Sequence, residues 1–554
     1  MTRSLEENKQ LSQLLFPKVE KTVEDYEKIY PKRQLNESAK VTRFAPSPTG
    51  FVHIGGLFSA LISERIAHQS EGIFYLRIED TDKKREIDHG IEGIVDSLKN
   101  FGINIDEGYI SESDEIGAYK PYKQSERMEI YHTFIKSLIE QDKAYPCFST
   151  TEELEQLRKN QEDSNITPGY YGEFAIYRNK SFVEIKEKLD ANIPFVIRLK
   201  STGSPDRKIS YKDIIKGNME FPENIQDIVI CKSDSLPTYH FAHAIDDHVM
   251  GTTHVIRGDE WLPSVPVHLQ LFYTLGWKAP KYGHIPPILK QDGNSKRKLS
   301  KRKDPEAAVS FYHQEGYPTE SVLEYLLNLA NSSFEDWRKV NSEKSWNEFP
   351  FKAEKIGVSG ALFDLVKLTD VSKNAISRMS AQDVYHKLLD WSKKYDQEYY
   401  SILFANKENS LKMINIEREN KKPRRDISKW SEVKEYFSYM YDELYKINDV
   451  LDFPENVTNE DIKIILNGYV NIYNHNDTKE EWFNRIKDFS NSIGFATDMK
   501  DYKANPDNYK GSITDTTTVI RVAITGRKQG PDIYEIMNIL GTKKVTLRLN
   551  VSKN

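Results

Sequence analysis

Arg43-Phe-Ala-Pro-Ser-Pro-Thr-Gly-Phe-Val-His53-Ile-Gly-Gly56, near the start of the chain, is the stretch on which the fold turns. Val41-Thr-Arg-Phe-Ala runs into it as a short strand, and Pro46 and Pro48 remove the donors that would extend the ladder. A helix follows from near Gly55 to about Gln69, with Leu57, Ala60 and Leu61 on its packed side. Ile73-Phe-Tyr-Leu-Arg-Ile is a second apolar strand. Residues 86–101 then place Ile87, Ile91, Ile94, Val95 and Leu98 at helical spacing. This alternation predicts a doubly wound α/β domain with a parallel sheet.

Far downstream, Lys298-Leu-Ser-Lys301-Arg302 reads as a mobile basic loop, extended by Lys296, Arg297 and Lys303. His53 sits at the start of a helix, where unpaired N–H groups and the helix dipole favour a bound phosphate. Gly55 and Gly56 let the backbone approach a nucleotide without a Cβ in the way. Lys298 and Lys301 are point charges suited to a triphosphate that loses pyrophosphate by in-line displacement. Alone, such a histidine is better read as a helix cap and such a lysine run as a solvated loop. Together, on opposite halves of one sheet, they describe a protein that holds ATP from two sides.

At 554 residues the chain is too long for one core, so three or more domains are expected. With 38% hydrophobic and 29% charged residues it has a globular composition. The N-terminus lacks the apolar stretch of a secretory signal, and no apolar run is long enough to span a bilayer, so a cytoplasmic enzyme without a membrane partner is expected. Two cysteines, Cys147 and Cys231, can form neither a disulfide framework nor a four-ligand metal site by themselves. The net charge of -6 is unevenly spread: 407–429 gathers Lys412, Arg418, Lys421, Lys422, Arg424 and Arg425. Local charge governs phosphate contact, although such a run is by default a solvated face.

The His53 and Lys298 segments resemble the HIGH and KMSKS signatures of class I aminoacyl-tRNA synthetases. Arg43 to Gly50, Leu76-Arg-Ile-Glu-Asp-Thr-Asp82, Gln124-Ser-Glu-Arg127, Pro237-Thr-Tyr-His240, Asp246-Asp-His-Val-Met-Gly251 and Val255-Ile-Arg-Gly-Asp-Glu-Trp261 further resemble the bacterial-type glutamyl-tRNA synthetases, strongly over about 41–330. The resemblance implies a Rossmann-like catalytic domain split into 41–143 and 237–335. An inserted α+β acceptor-binding domain would occupy 144–236, and a stem-contact region 336–380. An all-α anticodon-binding domain would occupy 381–554, and 1–40 a helical extension read as an appendage. It assigns Arg43, Ala45, Ser47, Glu79, Tyr239 and Arg257 to glutamate, with both arginines on carboxylates. It assigns His53, Gly55, Gly56, Glu260, Trp261, Lys298, Ser300 and Lys301 to ATP, with His53, Lys298 and Lys301 catalytic. Arg424 is the candidate for an anticodon base edge and Arg425 for a neighbouring phosphate.

The implied reaction joins L-glutamate to tRNA(Glu) through an adenylate, with ATP and Mg²⁺, in a monomer. Charging of tRNA(Gln) as well is the nearest alternative, and a HIGH-type nucleotidyltransferase a more remote one. Two positions depart from the pattern. Gly56 stands where the signature has its second histidine. Cys147-Phe-Ser149 stands where many relatives have Cys-Phe-Cys, so no structural zinc is expected and Cys147 reads as a small buried residue.

Overall fold

The computed structural model describes residues 3–82, 84–300, 302–446 and 451–551, so Lys301 lies outside the described residues. Two compact units divide the chain: residues 1–311 with 323–364, and residues 312–322 with 365–554.

The first unit opens with α1 (Leu5–Leu15) and α2 (Val23–Ile29), each started by a capping box, Ser4 with Glu7 and Thr22 with Asp25. Next come β1 (Val41–Phe44), α3 (Ile54–His68), β2 (Ile73–Leu76), α4 (Gly90–Asn100), β3 (Glu107–Ser111), β4 (Asp114–Ile116) and α5 (Met128–Glu140). β1, β2 and β3 are parallel, and β4 closes that edge antiparallel. Later in the chain α8 (Tyr239–Val249) precedes β10 (His254–Gly258), α9 (Val265–Thr274) and β11 (Lys281–Ile285). β10 and β11 are parallel, and the Thr253 N–H donates to Val41 O at 3.0 Å, which sets this pair beside β1. From β1 the chain therefore goes one way to β2 and the other way to β10. The carboxyl ends of β1 and β10 flank the point where strand order reverses, the usual place for a ligand on an open α/β sheet.

Between these halves lie β5 (Ala144–Cys147), α6 (Thr151–Asp163), α7 (Phe182–Asp190), β6 (Val196–Leu199), the hairpin β7 (Lys208–Asp213) and β8 (Gly217–Pro222), and β9 (Val229–Cys231). The sequence reads as a strand over 225–231, and the strand formed is shorter, Val229–Cys231. Asp227 turns the chain by accepting from Tyr145 Oη, Arg178 and the Ser201 N–H at 2.7–2.8 Å. Cys147 is buried beside Tyr145, Tyr170 and Ala175.

The leading segment is stitched into this unit. Leu11, Leu14, Leu15 and Val19 fall at helical spacing in the sequence; Leu11 and Val19 are buried, while Leu14 is 50% exposed. Arg3 reaches Asp142 and the Lys180 carbonyl; Arg33 forms a two-pronged pair with Glu107 at 2.7 and 2.8 Å. Ser12 donates to Glu140 on α5.

Among the described residues the second unit has no strand. Its longer helices include Leu365–Arg378, Ala381–Tyr395, Asn459–Ile472, Lys479–Ser492, Ile513–Thr525 and Ile533–Val551 around Leu388, Tyr399, Met413, Leu466 and Ile520. The apolar run 519–525, whose pattern alone fits either a strand or the end of a helix, ends a helix. No helix among the described residues is long and apolar enough to cross a membrane.

Candidate functional site

A cleft of about 1290 Å³ opens at the carboxyl ends of β1 and β10. Arg43, Ala45, Ser47, His53, Gly55, Gly56, Glu79, Tyr239, Arg257, Glu260, Trp261 and Lys298 all line it. Of the described sequence-derived candidates for glutamate and ATP, only Ser300 is not on that lining. Its N–H instead donates to Asp304 Oδ2 at 2.9 Å.

At the deep end, Arg43 is the third residue of β1 and is buried. Its Nε lies 3.3 Å from Asp247 Oδ1, an oxygen that also takes Arg77 Nη1 at 2.7 Å. Arg77 Nη2 donates to Glu79 at 2.8 Å. Burial pushes the Glu79 carboxyl upward, and the Arg77 and Arg43 guanidiniums oppose it. Two buried arginines thus face two buried carboxylates, and this group is close to balanced.

Arg257, on β10, is different. It is only 5% exposed and makes no ion pair among the described residues. Nε donates to His284 Nε2 at 3.0 Å, Nη1 to His268 Nδ1 at 3.1 Å, and Nη2 approaches the Trp261 carbonyl at 3.5 Å. Its carbon centre also lies 4.7 Å from the Tyr282 ring. His268 is held neutral, its pKa driven well down by burial and by the nearby His243 and Arg257. His284 is lowered too, by burial, against the pull of Asp213. Every partner of this buried cation is neutral. A cation so placed is stabilised by an arriving anion, and its planar fork matches a carboxylate.

Tyr239 covers this pocket. It packs on Trp261 at 4.4 Å between ring centroids and on His243 at 5.8 Å, and burial raises its phenol to about 12, so it acts as a neutral donor.

At the outer end, His53 caps α3. The Gly56 N–H donates to His53 Nδ1 at 3.1 Å, so the neutral ring carries its proton on Nε2, the nitrogen suited to donate to a phosphate oxygen. A Cβ on residue 55 would sit 3.0 Å from two imidazole atoms, whereas one on residue 56 would make only ordinary contacts. Gly55 therefore makes room for His53 itself. The Lys298 segment is less free than its composition implies. β12 (Leu289–Asp292) and β13 (Ser295–Lys298) form a hairpin, and Asp304 clamps the following turn. The Asp304 carboxylate takes Arg297 at 2.6 and 2.8 Å and Lys290 at 3.1 Å, and these cations, Arg297 foremost, hold its pKa far below the usual carboxylate range. Arg297 is thus committed to structure. The Lys298 side chain is 60% exposed, and among the described residues its ion-pair contact is a long one, 3.9 Å to Glu260.

In the second unit, Arg424 turns inward. Its Nε lies 2.6 Å from Asp426 Oδ2, Nη1 donates to the Ile416 carbonyl, and the guanidinium stands over Phe437. Arg425, the next residue, is exposed.

Sequence reasoning missed Arg77, Asp213, Asp247, His268, Tyr282 and His284, and left His243 without a role. His243 is wholly buried, 3.1 Å from Asp247 and 3.2 Å from Tyr282 Oη. The usable signal was charge inside apolar strings: Arg77 directly after a buried strand, and Asp246-Asp247 on the packed side of a helix.

Residues 40–368 match the family model of the class I tRNA synthetases (E and Q), catalytic domain, and residues 507–552 match an anticodon binding domain. The chain belongs to the class I tRNA synthetases of this glutamate and glutamine group. It is 52% identical over 542 residues to the glutamate–tRNA ligase of Clostridium perfringens strain 13, covering 97% of this chain and 99% of the relative. The glutamate–tRNA ligase of Clostridium beijerinckii is 50% identical, with 98% of each chain covered. A crystal structure of a glutamate tRNA ligase from Elizabethkingia meningosepticum in complex with its amino acid superposes with a TM-score of 0.74 at 27% identity, over 93% of this chain and 99% of that one. Within its class the chain belongs with the bacterial-type glutamate–tRNA ligases.

Proposed function

We infer that this chain attaches L-glutamate to tRNA(Glu) in two steps, and that the cleft on the sheet does the chemistry. The carrying observation is Arg257, a buried cation with only neutral partners, across the pocket from Arg43. A glutamate seated there has a carboxylate for each arginine. Glu79 accepts its α-ammonium, with Ala45, Ser47 and Tyr239 shaping the wall. ATP lies outward, on Gly55, Gly56, Glu260 and Trp261. A glutamate α-carboxylate oxygen then bonds to the α-phosphorus as the bond to pyrophosphate breaks. His53, Lys298 and Lys301 meet the charge that builds on the phosphate oxygens, and Ser300 shapes the loop from behind through Asp304. In the second step a ribose hydroxyl of the terminal tRNA adenosine, the 2′ in this class, bonds to the activated carbonyl and AMP leaves. No side chain becomes a covalent nucleophile.

Mg²⁺ enters with ATP, neutralising phosphate charge. The phosphate oxygens of ATP supply its ligands. In the second unit the exposed Arg425 is the better placed to meet tRNA, with Arg424 holding the surrounding turn. The enzyme acts as a cytoplasmic monomer. The test is to charge purified tRNA(Glu) and tRNA(Gln) side by side with radiolabelled glutamate. Glutamate on tRNA(Glu) alone is the expected result, product on both would widen the substrate to tRNA(Gln), and product on neither would remove the reading.

A further inference from the structure

Arg257 can grip a carboxylate only if its donors point into the cleft. What aims them is a chain of side chains that begins in the inserted segment. Asp213 ends β7, and the hairpin it belongs to is bonded to β11 through the Ile214 N–H and the Tyr282 carbonyl at 2.9 Å. Asp213 Oδ1 accepts from the N–H groups of Ile215, Lys216 and His284 at 2.9, 2.8 and 3.2 Å. Its Oδ2 faces His284 Nδ1 at 2.6 Å, with Tyr211 Oη at 3.3 Å. Asp213 and His284 are both buried.

These contacts decide a tautomer. A carboxylate only accepts, so His284 carries its proton on Nδ1 and presents Nε2 as a bare acceptor. Arg257 Nε, which can only donate, lies 3.0 Å from that nitrogen. His268 is fixed in the complementary way. Its Nδ1 accepts from Arg257 Nη1, and its Nε2, 2.9 Å from His240 Nδ1, keeps the proton. The two imidazoles occupy Nε and one N–H of Nη1, and one N–H on each terminal nitrogen is left for a ligand.

We propose that Asp213 and His284 are positioning residues for the amino-acid site: Asp213, supplied by the inserted hairpin, sets the His284 tautomer, and His284 sets the direction in which Arg257 offers its fork to a substrate carboxylate. The proposal rests on the reading of Arg257 as a glutamate ligand. It makes the inserted segment a contributor to amino-acid recognition.

The discriminating variant is Asp213→Asn, nearly the same in shape. Three backbone N–H groups hold the Oδ1 position to an oxygen, so the new amide nitrogen takes the Oδ2 position and faces His284 Nδ1 as a donor. His284 must then move its proton to Nε2, where it meets Arg257 Nε–H donor to donor. In aminoacylation of tRNA(Glu), D213N should raise the glutamate KM by about 10- to 100-fold, the usual cost of losing an orienting outer partner, with the ATP KM unchanged. Histidine ¹⁵N NMR, assigned with a His284→Phe variant, should show the proton moving from Nδ1 to Nε2. His284→Phe should raise the glutamate KM to a similar extent, and adding D213N to it should cost nothing more. Equal shifts in both KM values, an unmoved tautomer, or additive effects of the two changes would overturn the proposal. Failure of the unmodified enzyme to charge tRNA(Glu) would instead strike the reaction itself. If D213N does not fold, the KM split in His284→Phe still decides, since no selective loss for glutamate refutes the relay.

Discussion

Replacing Arg257 by methionine tests the reading of the pocket through two quantities expected to move very differently. In the free enzyme the guanidinium is buried among neutral partners, with no carboxylate paired to it. Removing an unpaired buried charge is worth several kcal/mol to the fold. Against this, His284 Nε2 and His268 Nδ1 lose their donors, at about 1–3 kcal/mol each. The two effects are of similar size and opposite sign, so the net change in stability is expected within about 2 kcal/mol, and the melting temperature of the variant should stay within a few degrees of the original.

The bound state is not so balanced. A hydrogen bond to a charged group contributes about 1.5–3 kcal/mol, and a two-pronged carboxylate grip makes two of them. A loss of about 3–5 kcal/mol corresponds to a glutamate KM raised by about 10²–10³-fold or more. ATP binds toward His53 and Lys298, so its KM should hardly change. Aminoacylation kinetics in each substrate, beside a thermal melt, supply both numbers. A parallel rise in the two KM values would refute the assignment of Arg257 to a carboxylate. A collapse in melting temperature with an unchanged glutamate KM would show it to be a structural cation.

Arg77→Met should behave in the opposite way: it leaves Glu79 buried without its cation and weakens the hold on Asp247, so a stability loss of about 3–5 kcal/mol is expected by denaturant titration. An unchanged midpoint would mean that Arg43 alone balances the pocket. Arg425→Ala should weaken tRNA binding and lower the salt slope by about one while leaving the melt alone, whereas Arg424→Ala should chiefly destabilise the second unit, by about 1–3 kcal/mol; the reverse pattern would exchange their roles. Stability should peak near neutrality. Burial lowers His254 to about 4 and depresses His243, His268 and His284, so the unfolded chain binds more protons below about pH 6.5 and stability falls as pH drops toward 4. His68, raised to about 9 by Asp106 and Glu64, contributes stability that is lost as pH rises from about 6.5 through 9. A melting temperature that keeps climbing as pH falls from about 6.5 toward 4 would contradict the first, and one that does not fall between about pH 6.5 and 9 would contradict the second.

The division between what the chain revealed and what it hid follows from how each feature is built. The strand, turn and helix around Arg43 and His53 are local, written in alternation, prolines and glycines within a dozen or so positions, and so the sheet and its cleft were legible. The apolar part of the leading segment was also legible, since Leu11 and Val19 carry their burial in their spacing. Arg3 and Arg33 carry no such mark. Their partners, Asp142, the Lys180 carbonyl and Glu107, lie remote in sequence, so a segment read as an appendage is tied down by long-range pairs. Arg424 and Arg425 show the same limit at the scale of one residue: the composition is basic at both, and only the position of Asp426 and Phe437 decides which one turns inward.

The relay from Asp213 through His284 to Arg257 is the strongest case, and its logic bears on how the pocket selects its acid. A cation held by carboxylates would already be neutralised, and an incoming carboxylate would have to displace one of them at a cost close to its own gain. A cation held by imidazoles keeps its charge, and fixed tautomers direct it. Arg43, which shares Asp247 with Arg77, is the first kind, and Arg257 is the second. The two carboxylates of one substrate therefore meet arginines of different character. Most of the binding free energy that depends on the second carboxylate falls on Arg257. Substrates lacking that carboxylate leave it buried and uncompensated, which is a penalty as well as a lost attraction. Glutamine, similar in shape but with a single carboxylate, cannot satisfy both arginines and should be rejected by the pocket itself. Competition of unlabelled glutamine against labelled glutamate measures that rejection directly, and the Arg257→Met variant should lose the preference by losing glutamate.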